Sequence, residues 1–107
     1  LYVITSNGLW KHTDKGKFIE NQNNLGLFTS SFQPTKLYVT SDIDPHDIVI
    51  SDDGKAYFCS ALFSCICTTS ETHDFKVFWK PPWISKIASE DRCHLNGLCL
   101  RDGKPRY

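Results

Sequence analysis

The sequence predicts an all-β chain, a fragment of a β-propeller holding about two blades of four-stranded antiparallel sheet. Three observations lead there. Short runs rich in β-branched and aromatic residues recur along the whole length. Glycines preceded by Asn, Asp or Lys separate several of these runs, and glycine tolerates the positive φ that tight turns need. The third observation is self-similarity. "HDIVISDDGKAY" at 46–57 and "LNGLCLRDGKPRY" at 95–107 share one grammar: a polar residue, a short apolar run, Asp-Gly-Lys, then a second strand carrying Tyr. The two Asp-Gly turns stand 49 positions apart, at Asp53 and Asp102. Four strands per repeat of about 40–50 residues is the signature of a propeller blade.

The elements follow in order. Leu1 to Thr5 is a strand, Asn7-Gly8 a turn, and the continuation through Trp10 a second strand; together they fit the second and third strands of an earlier blade. Lys15-Gly16 is another turn. Residues 19–35 are polar, apart from Leu25, Leu27 and Phe28, and read as a long connection. Strands follow at 37–40, 47–50, 56–61, 64–69 and 75–79, the last four expected side by side in that order. Phe75, Val77 and Trp79 alternate, which predicts one packed strand face. No stretch has convincing helical periodicity; Ile84 to Glu90 is the best candidate, too short for more than a turn or two behind Pro81-Pro82. One domain therefore divides as the end of a blade plus a connection (1–45), one blade (46–80), and a connection with the start of the next blade (81–107).

Composition narrows the partners. Of 107 residues, 40% are hydrophobic, and twelve basic residues balance twelve acidic ones. With no Lys/Arg run there is no electrostatic footprint for nucleic acid. No apolar stretch approaches the length of a membrane span, and residues 1–10 lack the pattern of a signal peptide. The chain opens inside a strand-like run and contains no Met, which predicts a piece of a longer protein, so that one partner is the remainder of its own propeller. The five cysteines, Cys59, Cys65, Cys67, Cys93 and Cys99, form no C-x-x-C pair and sit among apolar neighbours. They read as buried free thiols, which favours a reducing, cytoplasmic compartment. A metal cluster of Cys65, Cys67, Cys93 and His94 is the alternative, at an unusual spacing.

The repeat also locates a candidate site. Asp47 and Asn96 are equivalent positions near the start of each blade's innermost strand. His46 with Asp47, and Asp91, Arg92, His94 and Asn96 from "EDRCHLN", should then converge at one channel mouth, where clefts with converging polar groups bind ligands. The plainer reading is a set of polar caps on loop amides. Arg92 suits a carboxylate, phosphate or sulfate, or else pairs with Glu90 or Asp91. Trp83, beyond the prolines, is the aromatic placed to line a cleft or an interface. A small molecule or a protein is the expected partner.

"LYVITSNGLWKH", "DPHDIVISDDGKAYFCSALFSCICT" and "FKVFWKPPWISKIASEDRCHLNGLCLRDGKPRY" resemble the latter part of an uncharacterised bacterial family of propeller-like conserved hypothetical proteins. The resemblance is carried by His46-Asp47, Leu62-Phe63-Ser64-Cys65, Pro81-Pro82-Trp83-Ile84-Ser85 and Glu90 to Leu98. It implies a propeller fold and no established activity. Asn96-Gly97-Leu98 followed by Asp102-Gly103 is also similar, more loosely, to the gluconolactonase and regucalcin-like lactonases, six-bladed propellers with a divalent metal in the channel. That similarity implies a metal-dependent hydrolase in which Asp47 and Asn96 approach the ion and His46 or His94 is general base. Oxygen ligands would favour Ca²⁺ or Mg²⁺ over zinc. A Ser64–His94 pair has no nucleophile-elbow pattern behind it. A non-catalytic interaction scaffold is the third reading.

Overall fold

The computed structural model describes residues 1–16, 18–19, 27–28 and 30–106, and side chains at 1–16 and 30–106. Eleven strands and no helix are formed among them. A hairpin of β1 (Tyr2–Thr5) and β2 (Gly8–Asp14) is completed by β5 (Phe32–Val39) into a three-stranded sheet, in the order β1-β2-β5. Two two-residue strands, β3 (Phe18–Ile19) and β4 (Leu27–Phe28), pair with each other. The second sheet is a four-stranded antiparallel meander of β6 (Pro45–Ile50), β7 (Ala56–Ser60), β8 (Cys65–Ser70) and β9 (Asp74–Trp79), adjacent in chain order as expected. A last hairpin joins β10 (Cys99–Arg101) to β11 (Lys104–Arg106) through Asp102-Gly103. The architecture is all-β and antiparallel, consistent with a β-propeller fragment.

The second sheet owes its position to apolar residues on both faces. Side chains of a strand alternate between faces, and here both alternants are apolar. Ile48, Ala56, Phe58, Cys65 and Cys67 pack with Leu9 and Tyr38 of the first sheet and with Ile43. Val49, Tyr57, Cys59 and Ile66 pack on the other side with Leu95 and Leu98. Phe58, Cys59 and Ile66 are wholly buried, and burying a Phe or Ile side chain is worth about 1.5–3 kcal/mol. The two Asp-Gly turns also meet: a Cβ on Gly103 would lie 3.4 Å from Asp52 Oδ2. The Asp53-Gly54 and Asp102-Gly103 turns are therefore spatial neighbours.

Some expectations need correction. The connection ends before residue 32 rather than at 35, because β5 runs beside β2 from Phe32 onward. Its first half is exposed, so backbone pairing rather than side-chain burial makes it a strand. Pro34, which has no N–H, sits where the register shifts opposite Lys11 and His12. The apolar patch at Leu25, Leu27 and Phe28 lies outside the residues whose side chains are described, as does Tyr107. Gly8 does not serve a positive-φ turn: a Cβ there would stand 2.3 Å from the Tyr38 carbonyl oxygen, so close strand approach is what requires glycine. Gly16, Gly54 and Gly103 do have positive φ.

Phe75, Val77 and Trp79 do not share one face. Ile66 pairs with Trp79 and Cys67 with Val77, so Phe78 is an extra residue in β9. That bulge breaks the alternation: Phe75 packs toward the first sheet while Trp79 packs on the far side. Near the other end, β10 begins only at Cys99, leaving Asn96 in the preceding connection rather than at a strand start.

Candidate functional site

A second bulge builds the site. Pro45 pairs with Ser60 and Ile48 with Phe58, so β6 carries one extra residue at His46-Asp47. In a regular strand these neighbours would point to opposite faces; at the bulge both turn toward residues 94–98. The His46 ring lies 4.8 Å, centroid to centroid, from the His94 ring. Asp47 Oδ2 accepts the Leu98 N–H at 3.0 Å, while its Oδ1 accepts the Ile48 N–H at 2.9 Å. Bulges next to functional sites re-aim side chains in this way.

The turn between β7 and β8 holds both halves of the cluster. Ala61 N–H donates to the Asp44 carbonyl at 3.0 Å, and Ser60 Oγ donates to the Ile43 carbonyl at 2.7 Å. On the other side, Asp91 N–H donates to the Leu62 carbonyl at 2.8 Å. Ser64 Oγ accepts the amides of Arg92 and Cys93 at 3.0 and 3.3 Å. Ser60 and Ser64 are buried, where an unpaired hydroxyl would be costly. Ser64 thus fastens the 90s segment, and a nucleophilic role for it finds no support in this geometry.

His94 Nδ1 lies 2.8 and 3.0 Å from the two carboxylate oxygens of Asp91. That contact, followed by the charge of Asp91, raises the His94 pKa above its ordinary value; burial opposes the rise and the Asp44 charge adds a last contribution to it. His46 Nε2 is 3.4 Å from Asp44 Oδ1. Asp44, Asp91 and His94 all have left-handed backbones, at φ 49°, 45° and 42°, a conformation that non-glycine residues hold at a cost and that clusters at functional sites.

The structure brings together His46, Asp47, Asp91 and His94 of the expected set. Asn96 is exposed one residue before Gly97, whose Cβ position lies 3.8 Å from Asp47 Oδ2. Arg92 is half-exposed and its Nε faces Glu90 Oε2 at 3.8 Å, the ion pair that competes with an anionic ligand. Trp83 is 66% exposed. Asp44 was not singled out from sequence, because an Asp before Pro45 reads as turn punctuation; the spacing to His46 becomes informative only once the bulge is known.

Among the described residues, the His/Cys/Asp/Glu group that converges is Asp44, His46 and His94. No cysteine belongs to that group. All five are free thiols, with Cys59, Cys65 and Cys67 buried, Cys93 half-buried and Cys99 exposed. Cys65 and Cys67 share a face, their sulfurs 3.6 Å apart. They line an apolar cavity of about 260 Å³ with Ile43, Phe63, Phe75 and Ile87, to which neither histidine contributes.

A family model matches residues 1–107, the entire chain. The chain belongs to the family described as Domain of unknown function (DUF4915). Neither the comparison with curated proteins nor that with solved structures gave a match. For a DUF4915 chain, functional evidence therefore comes from the geometry itself.

Proposed function

We propose that this chain is part of a β-propeller whose 44–47 and 90–96 segments form a ligand-binding rim at the channel mouth. The observation that carries the reading is the approach of His46 and His94, from corresponding segments of the two repeats, to 4.8 Å. Packing of the four-stranded sheet on the three-stranded one and the neighbouring Asp-Gly turns support the blade arrangement. A cap on a strand end needs one polar side chain, whereas this rim gathers two imidazoles, the carboxylates of Asp44, Asp47 and Asp91, and a nearby guanidinium. Most of these side chains are 31–50% exposed and so reachable. The ligand class is a small polar molecule offering anionic or carbonyl oxygens, matched to the Arg92 guanidinium and to the imidazole side of the rim. Asp47 spends both carboxylate oxygens on backbone amides, which favours binding over a hydrolase that needs Asp47 on a metal.

The test is an amide-shift titration of the ¹⁵N-labelled full chain with inorganic phosphate, citrate and gluconolactone as probes. Shifts should centre on His46 and residues 91–96 and vanish in a His46→Ala/Arg92→Ala double variant. If no probe moves those amides, or the double variant responds like the parent, the reading fails.

A further inference from the structure

The geometry points to a binding site for a divalent transition-metal ion of the zinc class, formed by the Asp44 carboxylate and the imidazoles of His46 and His94, with Asp91 positioning His94. This deepens, and rests on, the reading of the two segments as one ligand-facing rim. The three ligand atoms all lie within 4.8 Å of one another. His46 Nε2 and Asp44 Oδ1 are 3.4 Å apart. Two ligands bound tetrahedrally at about 2.0–2.1 Å are separated by about 3.3–3.4 Å, so this pair already stands at coordination spacing.

His94 adds a separate argument. With Nδ1 engaged by Asp91, Nε2 is the nitrogen left to ligate. A carboxylate on the far nitrogen is the usual partner of a metal-bound histidine, because it fixes the tautomer and raises ligand basicity. The supports are firm as well: Asp44 and Asp91 are anchored through their backbones to opposite sides of one turn, at Ala61 and Leu62. Three protein ligands leave coordination positions open, as in sites that bind an exogenous ligand. Imidazole nitrogens select a borderline transition ion over Ca²⁺ or Mg²⁺, which prefer oxygen. The donor set thus differs from an oxygen site at Asp47 and Asn96.

Metal-stripped full chain is titrated with Zn²⁺ by calorimetry and with Co²⁺ by visible absorption. One Zn²⁺ should bind per chain, and Co²⁺ should develop the intensified bands of an imidazole-ligated ion. His46→Ala and His94→Ala should each weaken binding at least about 10-fold, and Asp44→Ala should weaken it too. Asp91→Asn should bind about 10–100-fold more weakly with a shifted Co²⁺ band, while its metal-free melting point stays near the parent's. A Co²⁺ spectrum identical to the aqueous ion overturns the inference. So do histidine variants that bind like the parent, or Ca²⁺ raising the melting point as much as Zn²⁺. Amide shifts with phosphate or citrate that persist in EDTA while Zn²⁺ fails to bind sink the metal site alone. Zn²⁺ binding with no response to any probe, with or without the ion, sinks the ligand-rim reading instead.

Discussion

Asp47 is one residue doing the work of a seam. Its two oxygens accept one amide from its own strand and one from Leu98, 51 residues on. Asp47→Ala leaves both amides without an acceptor in a half-buried place, so unfolding in urea should show a loss of about 1–3 kcal/mol; Asp47→Asn, which keeps one acceptor oxygen, should lose less. Thiol chemistry is equally local. Burial, with a smaller contribution from the Asp47 charge, pushes the Cys59 thiol up to about 11. Contact with the Cys65 sulfur, together with burial, raises Cys67 as well. Since the thiolate is the reactive species, alkylation of the native protein without reductant should label Cys99 first and Cys93 next. Cys59, Cys65 and Cys67 should react only after denaturation, giving five labels by mass spectrometry. The buried state of Cys59, Cys65 and Cys67 was legible from their apolar neighbours, whereas the same cue misplaced Cys93 and Cys99, which are half-buried and exposed. The role of Asp44 was not, because nothing in "DIDPHD" signals that a bulge will turn His46 toward a second imidazole.

At the level of strands, the meander β6-β7-β8-β9 was readable because turn residues punctuate runs whose two faces are both apolar. Bulges escaped the reading. A single inserted residue leaves composition untouched yet reverses which face the next side chain occupies, as Phe78 does for Trp79. β5 escaped in part because its first half pairs through backbone groups, and its side chains carry no signal of burial. Gly8 offers the sharpest test at this scale. Gly8→Ala places a methyl 2.3 Å from the Tyr38 carbonyl oxygen, so the β2–β5 pairing must give way. A loss of about 1–3 kcal/mol, typical of overpacked sites, should appear in chemical denaturation. Gly54→Ala meets open space and pays only for its positive φ of 83°, about 1–2 kcal/mol.

Across the whole molecule, sheets are tied by polar contacts at their rims as well as by the two apolar cores. Glu71, in the turn after β8, accepts a bond from the Tyr38 hydroxyl at 3.0 Å and pairs with Lys36, both on β5. These partners, Lys36 first, lower the Glu71 pKa from its ordinary 4.5. A depressed carboxylate stabilises the folded state above the unfolded-state pKa and loses that contribution as pH falls through the folded value. The melting-point gap between the parent and Glu71→Gln should therefore be present at neutral pH and close as the pH drops below about 4.5. An undiminished gap at the acid end would contradict this. The contribution should also weaken in salt, because the pair is exposed. No helix among the described residues is long and apolar enough to cross a membrane.

The turn at Ala61–Ser64 grips residues 43–44 on one side and 91–93 on the other. Its consequence is a shared opening equilibrium. Because one turn holds both segments, its opening should release them together. Proteins open in cooperative units whose amides exchange together. The amides of Ala61, Leu62, Asp91, Arg92 and Cys93 should accordingly exchange with deuterium as one group, with a common opening free energy. Ser64→Ala should accelerate that group while leaving the amides of Phe58 and Cys67 slow. Widely scattered rates among the five would mean that each segment breathes alone.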